Sequence, residues 1–164
     1  MKEVVCPNDY SKYRQYKLLC SGSIQSSDKW IMDIKRDLND YNVILLNPRA
    51  IYPEGITVDD WNEYYKKCMN WVLDAQDNAD FIIFNFLSFN NPDEIDFATM
   101  GFNKLKHIVV MYDDNFIYRD YIDMVCEKYY IHNVHSYEDL IKYMNEMFKN
   151  DVLYNGIKDI KDEN

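Results

Sequence analysis

Phe81-Ile82-Ile83-Phe84-Asn85-Phe86, preceded by Ala79-Asp80 and followed by Leu87-Ser88, is the most apolar run of the chain. A short run of this kind reads as a strand buried on both faces, the signature of a parallel sheet covered on two sides. Working outward, Trp61, Tyr65, Cys68 and Val72 recur on one helical stripe just upstream, behind Thr57 as a cap and a long loop containing Pro53 and Gly55. Further upstream, residues 17–20 form a short strand that ends at Ser21-Gly22-Ser23, and Asp28 caps a helix carrying Trp30, Ile31, Ile34 and Leu38. Residues 43–46 follow as a buried strand stopped by Asn47-Pro48.

Downstream, Pro92 suits the first turn of a helix running towards Gly101, and residues 107–111 form a fourth strand. Residues 118–128 are helical, residues 130–134 form a short strand, and Ser136 caps a last helix with Leu140, Ile141, Met144 and Phe148 on its inner face. Five strands thus alternate with five helices. The pattern predicts an α/β fold, a Rossmann-like three-layer sandwich around a five-stranded, mainly parallel sheet in the flavodoxin-like order 2-1-3-4-5. One domain over residues 17–150 is expected, with an arm at 1–16 and a tail at 151–164 that lack a clear period. Ligands of such sheets bind at the carboxyl ends of the strands.

A formal charge of -10 argues against a nucleic-acid backbone partner, which needs clustered Lys and Arg. Small polar ligands stay open. Cys6, Cys20, Cys68 and Cys126 are scattered with no C-x-x-C pair, so neither a metal site nor a redox motif is expected, and reduced thiols suit the cytoplasm. Residues 1–16 are charged and polar, and no apolar run approaches about 18 residues, so neither a signal peptide nor a membrane-spanning helix is expected.

Several functions of this architecture are excluded at the loops. The first strand is followed by Gly22 between serines, which is neither G-x-G-x-x-G nor a P-loop, so no dinucleotide or P-loop nucleotide is expected and no cofactor is implied. The third strand ends in Phe86-Leu87-Ser88 and lacks the aspartate of a phospho-acceptor domain. The three histidines lie on or near strands four and five, away from any serine or cysteine on a strand-to-helix elbow.

Four segments at successive strand ends carry a resemblance: Ser21-Gly22-Ser23-Ile24 followed by Trp30; Asn47-Pro48-Arg49; Trp71 ahead of Ala79-Asp80; and residues 93–101. Together they resemble the nucleoside 2-deoxyribosyltransferase family, in its divergent branch with Gly-Ser-Ile and Asn-Pro-Arg loops. The resemblance covers about residues 18–119, with Arg119 at a further polar position. It implies a small-molecule nucleoside or nucleotide as ligand, homo-oligomers that complete their pockets between subunits, and double displacement at the anomeric carbon. That chemistry uses a carboxylate nucleophile and an acid near the leaving base.

At both acid positions the chain departs from the family: Thr99 stands where the nucleophile is expected, and Val72 follows Trp71 where the branch has a glutamate. Asp93 falls at the spacing of the family's sugar-orienting aspartate, and Asp96 lies three residues before Thr99, on the same helical face. Each also reads as an ordinary carboxylate, Asp93 on a helix first turn and Asp96 on a solvated face. The candidate catalytic set is therefore Asp93, Asp96 and Thr99.

The candidate ligand-binding set is Gly22, Ser23, Ile24, Trp30, Asn47, Arg49, Trp71, Phe86 and Arg119. Gly22 and Ser23 can contact a sugar or phosphate, or simply make the turn. Trp30 and Trp71 are core residues or stacking platforms. Arg49 can clamp a phosphate, or pair with Asp59, Asp60 or Glu63. Phe86, with Phe84, Phe89 and Tyr52, can line a base-sized slot or belong to the core. Two functions follow: an N-glycoside transferase or hydrolase, or a catalytically silent relative that binds a nucleotide-like ligand or a partner protein.

Overall fold

The computed structural model describes residues 1–22, 29–50, 53–55, 57–86 and 107–155, with side chains to 150. Strands β1 (Lys2–Val5), β2 (Tyr16–Gly22), β3 (Val43–Asn47), β4 (Phe81–Phe86), β5 (His107–Tyr112) and β6 (His132–Val134) form one sheet in the order β1-β3-β2-β4-β5-β6. All adjacent pairs are parallel. The described helices are α1 (Lys29–Asp37), α2 (Val58–Asn78), α3 (Arg119–Tyr129) and α4 (Tyr137–Asn155). The chain is thus an α/β protein with a parallel sheet of Rossmann or flavodoxin type. The helix expected between Pro92 and Gly101 lies outside the described residues.

The expectation of five strands in the order 2-1-3-4-5 is corrected by β1, a sixth strand on the edge beside β3. Lys2-Glu3-Val4-Val5 is too short to show a period, and only Val4 is buried. What secures it is tertiary. The Glu3 carboxylate accepts a hydrogen bond from Asn47 Nδ2 at 2.8 Å and meets Lys35 Nζ of α1 at 2.9 Å. Burial pushes this carboxyl up, but the Asn47 amide and the Lys35 ammonium outweigh it and hold Glu3 below the usual carboxylate range. From β1 the chain crosses to β2 against α2: Trp71 Nε1 donates to Asn8 O at 2.7 Å, and Tyr10 meets the Trp71 ring edge-on at 5.4 Å.

Alternation along the strands sorts the core into two layers. Leu19, Ile82, Phe84, Phe86, Val110 and Tyr112 face α2 and α3, where Cys68, Val72, Ala75, Ile122 and Cys126 meet them. Leu18, Cys20, Phe81, Ile83, Val109 and Met111 face α1 and α4, which supply Trp30, Ile31, Ile34, Leu140, Met144 and Phe148. Two of the caps anticipated from the sequence are present, while Asp28, expected to cap α1, lies outside the described residues. Thr57 accepts from Asp60 N at 3.2 Å and Ser136 from Asp139 N at 3.1 Å.

Two local expectations are corrected. Cys68 and Val72 of the α2 stripe are buried, but Trp61 and Tyr65 are exposed. A helix of 21 residues is about 31 Å long, well beyond a strand of six residues at about 20 Å, so its first half overhangs the carboxyl edge. Tyr130, expected in a strand, closes α3 in the left-handed region at φ 56°, its N–H turned back to the last helical carbonyls. The strand β6 starts only at His132.

Phe148 meets the Phe81 ring at 5.0 Å and the Tyr41 ring at 4.9 Å, each edge-on, and thereby ties α4 to the sheet. Phe148→Ala is expected to lower the free energy of unfolding by about 3–5 kcal/mol, against about 0.5 kcal/mol or less for the exposed neighbour Lys149→Ala, as read from urea denaturation midpoints.

Candidate functional site

The chain leaves β2 through α1 to reach β3 on one side, then returns through α2 to reach β4 on the other. The strand order therefore reverses between β2 and β4, and the crevice of a parallel α/β sheet opens at the carboxyl end of that pair. At that point Gly22 and Asn85 stand in register. A Cβ on Gly22 would lie 2.4 Å from Asn85 O and 3.1 Å from Asn85 Cβ, so the last position of β2 admits only glycine without a shift of β4.

Asn85 is wholly buried, and neither its Oδ1 nor its Nδ2 has a hydrogen-bond partner among the described residues. Flanked by Phe84 and Phe86, which face α2 and α3, its side chain points into the layer of α1. The two other described strand asparagines behave differently. Asn47 donates to Glu3 and accepts from Arg49 N at 3.0 Å, and Asn133 Nδ2 donates to Tyr112 Oη at 3.0 Å and Asp123 Oδ1 at 3.1 Å. Each unpaired buried polar group costs about 1–3 kcal/mol, so among the described residues Asn85 stands out as the strand asparagine without a partner. Trp30 Nε1, a buried donor at the start of α1, also lacks a partner among the described residues and lies in the same layer. Sequence reasoning passed over Asn85, although its signal was present: it is the single polar residue in the most apolar strand.

Of the expected ligand-binding residues, Gly22, Asn47 and Phe86 end three adjacent strands, with Trp30 on the helix that follows Gly22. Asn47 spends its side chain on β1 and on the turn that carries Arg49. Phe86 stacks between Phe84 at 5.9 Å and Phe116 at 5.5 Å, in the α2 and α3 layer. Trp71 lies apart, packed on the crossover from β1 beside a groove of about 540 Å³ lined by Asp9, Tyr10, Lys17 and Asp74. Arg119 opens α3 beyond β5, its guanidinium 3.4 Å from Asp114 and 3.7 Å from Asp123. Ser23, Ile24, Asp93, Asp96 and Thr99 lie outside the described residues, as do Tyr52 and Phe89.

A second polar group sits at the end of β5. Tyr112 donates to Asp123, accepts from Asn133, and meets His135 edge-on at 4.7 Å. Burial first, and then the bond to Asp123, pushes its phenol up to about 12, against a smaller opposing effect of Asn133. This cluster is closed upon itself, in contrast to Asn85. Among the described residues no group of His, Cys, Asp and Glu could hold a metal ion, and no helix is long and apolar enough to cross a membrane. Compared with known families and with curated proteins, the sequence matches none.

The raised Tyr112 phenol contributes stability that is complete below its unfolded value near 10 and is lost as the pH rises through about 12. Tyr112→Phe is therefore expected to cost about 1 kcal/mol at neutral pH, with the gap to the wild type narrowing above pH 10 in denaturant titrations.

Proposed function

We propose that this chain binds a nucleoside or nucleotide in the crevice between the carboxyl ends of β2 and β4, as a relative of the nucleoside 2-deoxyribosyltransferases. One observation carries this reading: the strand-order reversal coincides with a glycine packed closely on the β4 backbone and with a buried amide that has no hydrogen-bond partner among the described residues. The loops bearing the resemblance, Ser21 to Ile24 and Asn47 to Arg49, follow β2 and β3, the strands that flank this crevice on one side. A charge of -10 opposes a polyanionic partner and leaves a small ligand as the better match. On this reading the protein works in the cytoplasm as a homo-oligomer, where its four buried cysteines stay reduced.

Binding without glycosyl transfer is the favoured form of this proposal. Val72, at the position of the branch's glutamate, is packed in the core between α2 and the sheet and supplies no proton to a leaving base. Transfer would have to rely on Asp93 and Asp96, with Thr99 at the nucleophile's place.

The test is a panel of deoxynucleosides and their monophosphates, with binding followed by calorimetry and free base by chromatography. Saturable binding to at least one member without base release is the expected result. No binding across the panel would overturn the proposal. Base release that disappears in Asp96→Asn would replace the silent form with the enzymatic one.

A further inference from the structure

Building on the proposed nucleoside site, we infer that Asn85 reads the base, through a planar edge in which an N–H donor adjoins an acceptor. The carboxamide offers one acceptor, Oδ1, and a two-hydrogen donor, Nδ2, both buried and both unpaired among the described residues. A phosphate supplies acceptors alone and would leave Oδ1 unpaired. A lone sugar hydroxyl meets one of the two atoms in good geometry. A base edge in which an N–H adjoins an acceptor, whether a lactam or the amino and ring-nitrogen edge of adenine, meets both at once in the plane of the carboxamide, donating to Oδ1 and accepting from Nδ2, as asparagine does when it reads adenine.

The position supports this use. Asn85 is the penultimate residue of the central strand, and the β2 residue in register with it is a glycine, so no side chain stands beside it from that strand. Trp30 Nε1, a further unpaired buried donor, begins the helix that follows this glycine and belongs to the same layer. In the same layer the register sets Met111 beside it on β5 and the Ile83 and Cys20 pair one step back along the strands, apolar or thiol side chains that suit the faces of a heterocycle. An unpaired amide in such a layer weakens the free protein and is retained where a ligand completes it.

This makes two independent demands. In the free protein, Asn85→Leu removes the unpaired amide at nearly constant volume, so the thermal midpoint should rise by about 2 °C or more. A fall in the midpoint of a folded variant would show that the amide already has partners and would overturn the inference. In binding, the wild type is titrated with deoxyuridine, deoxyinosine and deoxyadenosine, their 3-methyl, 1-methyl and N6,N6-dimethyl forms, which lack the N–H of that edge, and 2-deoxyribose 5-phosphate. Methylation should weaken binding of the preferred nucleoside at least ten-fold, since a buried acceptor is left unpaired, while the base-free sugar phosphate is unaffected by Asn85→Leu.

Equal affinity for methylated and unmethylated forms would overturn the base assignment even if Asn85→Leu did not fold. An equal loss of nucleoside and sugar phosphate in Asn85→Leu would overturn it as well. If the wild type binds neither these nucleosides nor their monophosphates, the nucleoside reading itself fails, a result distinct from nucleoside binding that ignores Asn85.

Discussion

The central strand β4 has no surface that meets water. All six of its residues are buried, between β2 and β5 in the sheet and between a helical layer on each face. Five of them are apolar, and burying side chains of this size contributes on the order of 10 kcal/mol before conformational entropy is subtracted, as much as the whole net stability of a typical domain. Neither layer can be dispensed with. The positions of α2 and α3 on one side and α1 and α4 on the other follow from the need to cover this strand twice, and short parallel crossovers then set the direction of its neighbours.

Against that apolar demand, Asn85 is a local contradiction placed where a parallel sheet binds its ligands. The comparison with Asn47 and Asn133 is informative because all three stand on strands. Asn47 links the end of β3 to β1 and to the following turn, and Asn133 joins Tyr112 and Asp123. The fold therefore has the means to satisfy a strand amide, and among the described residues none does so at Asn85. Gly22 beside it answers a steric requirement, since the carbonyl of Asn85 occupies the place its Cβ would take. These two residues connect backbone packing to the open chemistry of the crevice.

Much of this architecture was legible in local pattern. The unbroken run from Phe81 to Phe86, the helical stripes of α1 and α4, and the caps Thr57 and Ser136 all express interactions between residues close in sequence or repeated at a fixed period. β1 was not legible, because its hold on the sheet comes from β3, Lys35 and Asn47, all distant along the chain. Trp61 and Tyr65 carry the right period for a buried face, but period says nothing about where the sheet beneath a helix ends. For the site, the glycine and asparagine turns at Gly22 and Asn47 were visible as loop chemistry. That Phe86 turns towards the α2 layer, while Asn85 turns towards α1, depends on strand register and layer assignment.

The amino-acid sequence by itself determined the α/β class, the parallel character of the sheet and the approximate bounds of most described elements, because periodicity and turn chemistry act over a few residues. Only the tertiary structure decided that six strands share the sheet, that β1 closes one edge, and that Gly22 meets Asn85 where the strand order reverses. Whether a buried amide is satisfied is a property of its neighbours in space, which for Asn85 come from strands and helices far apart in the chain.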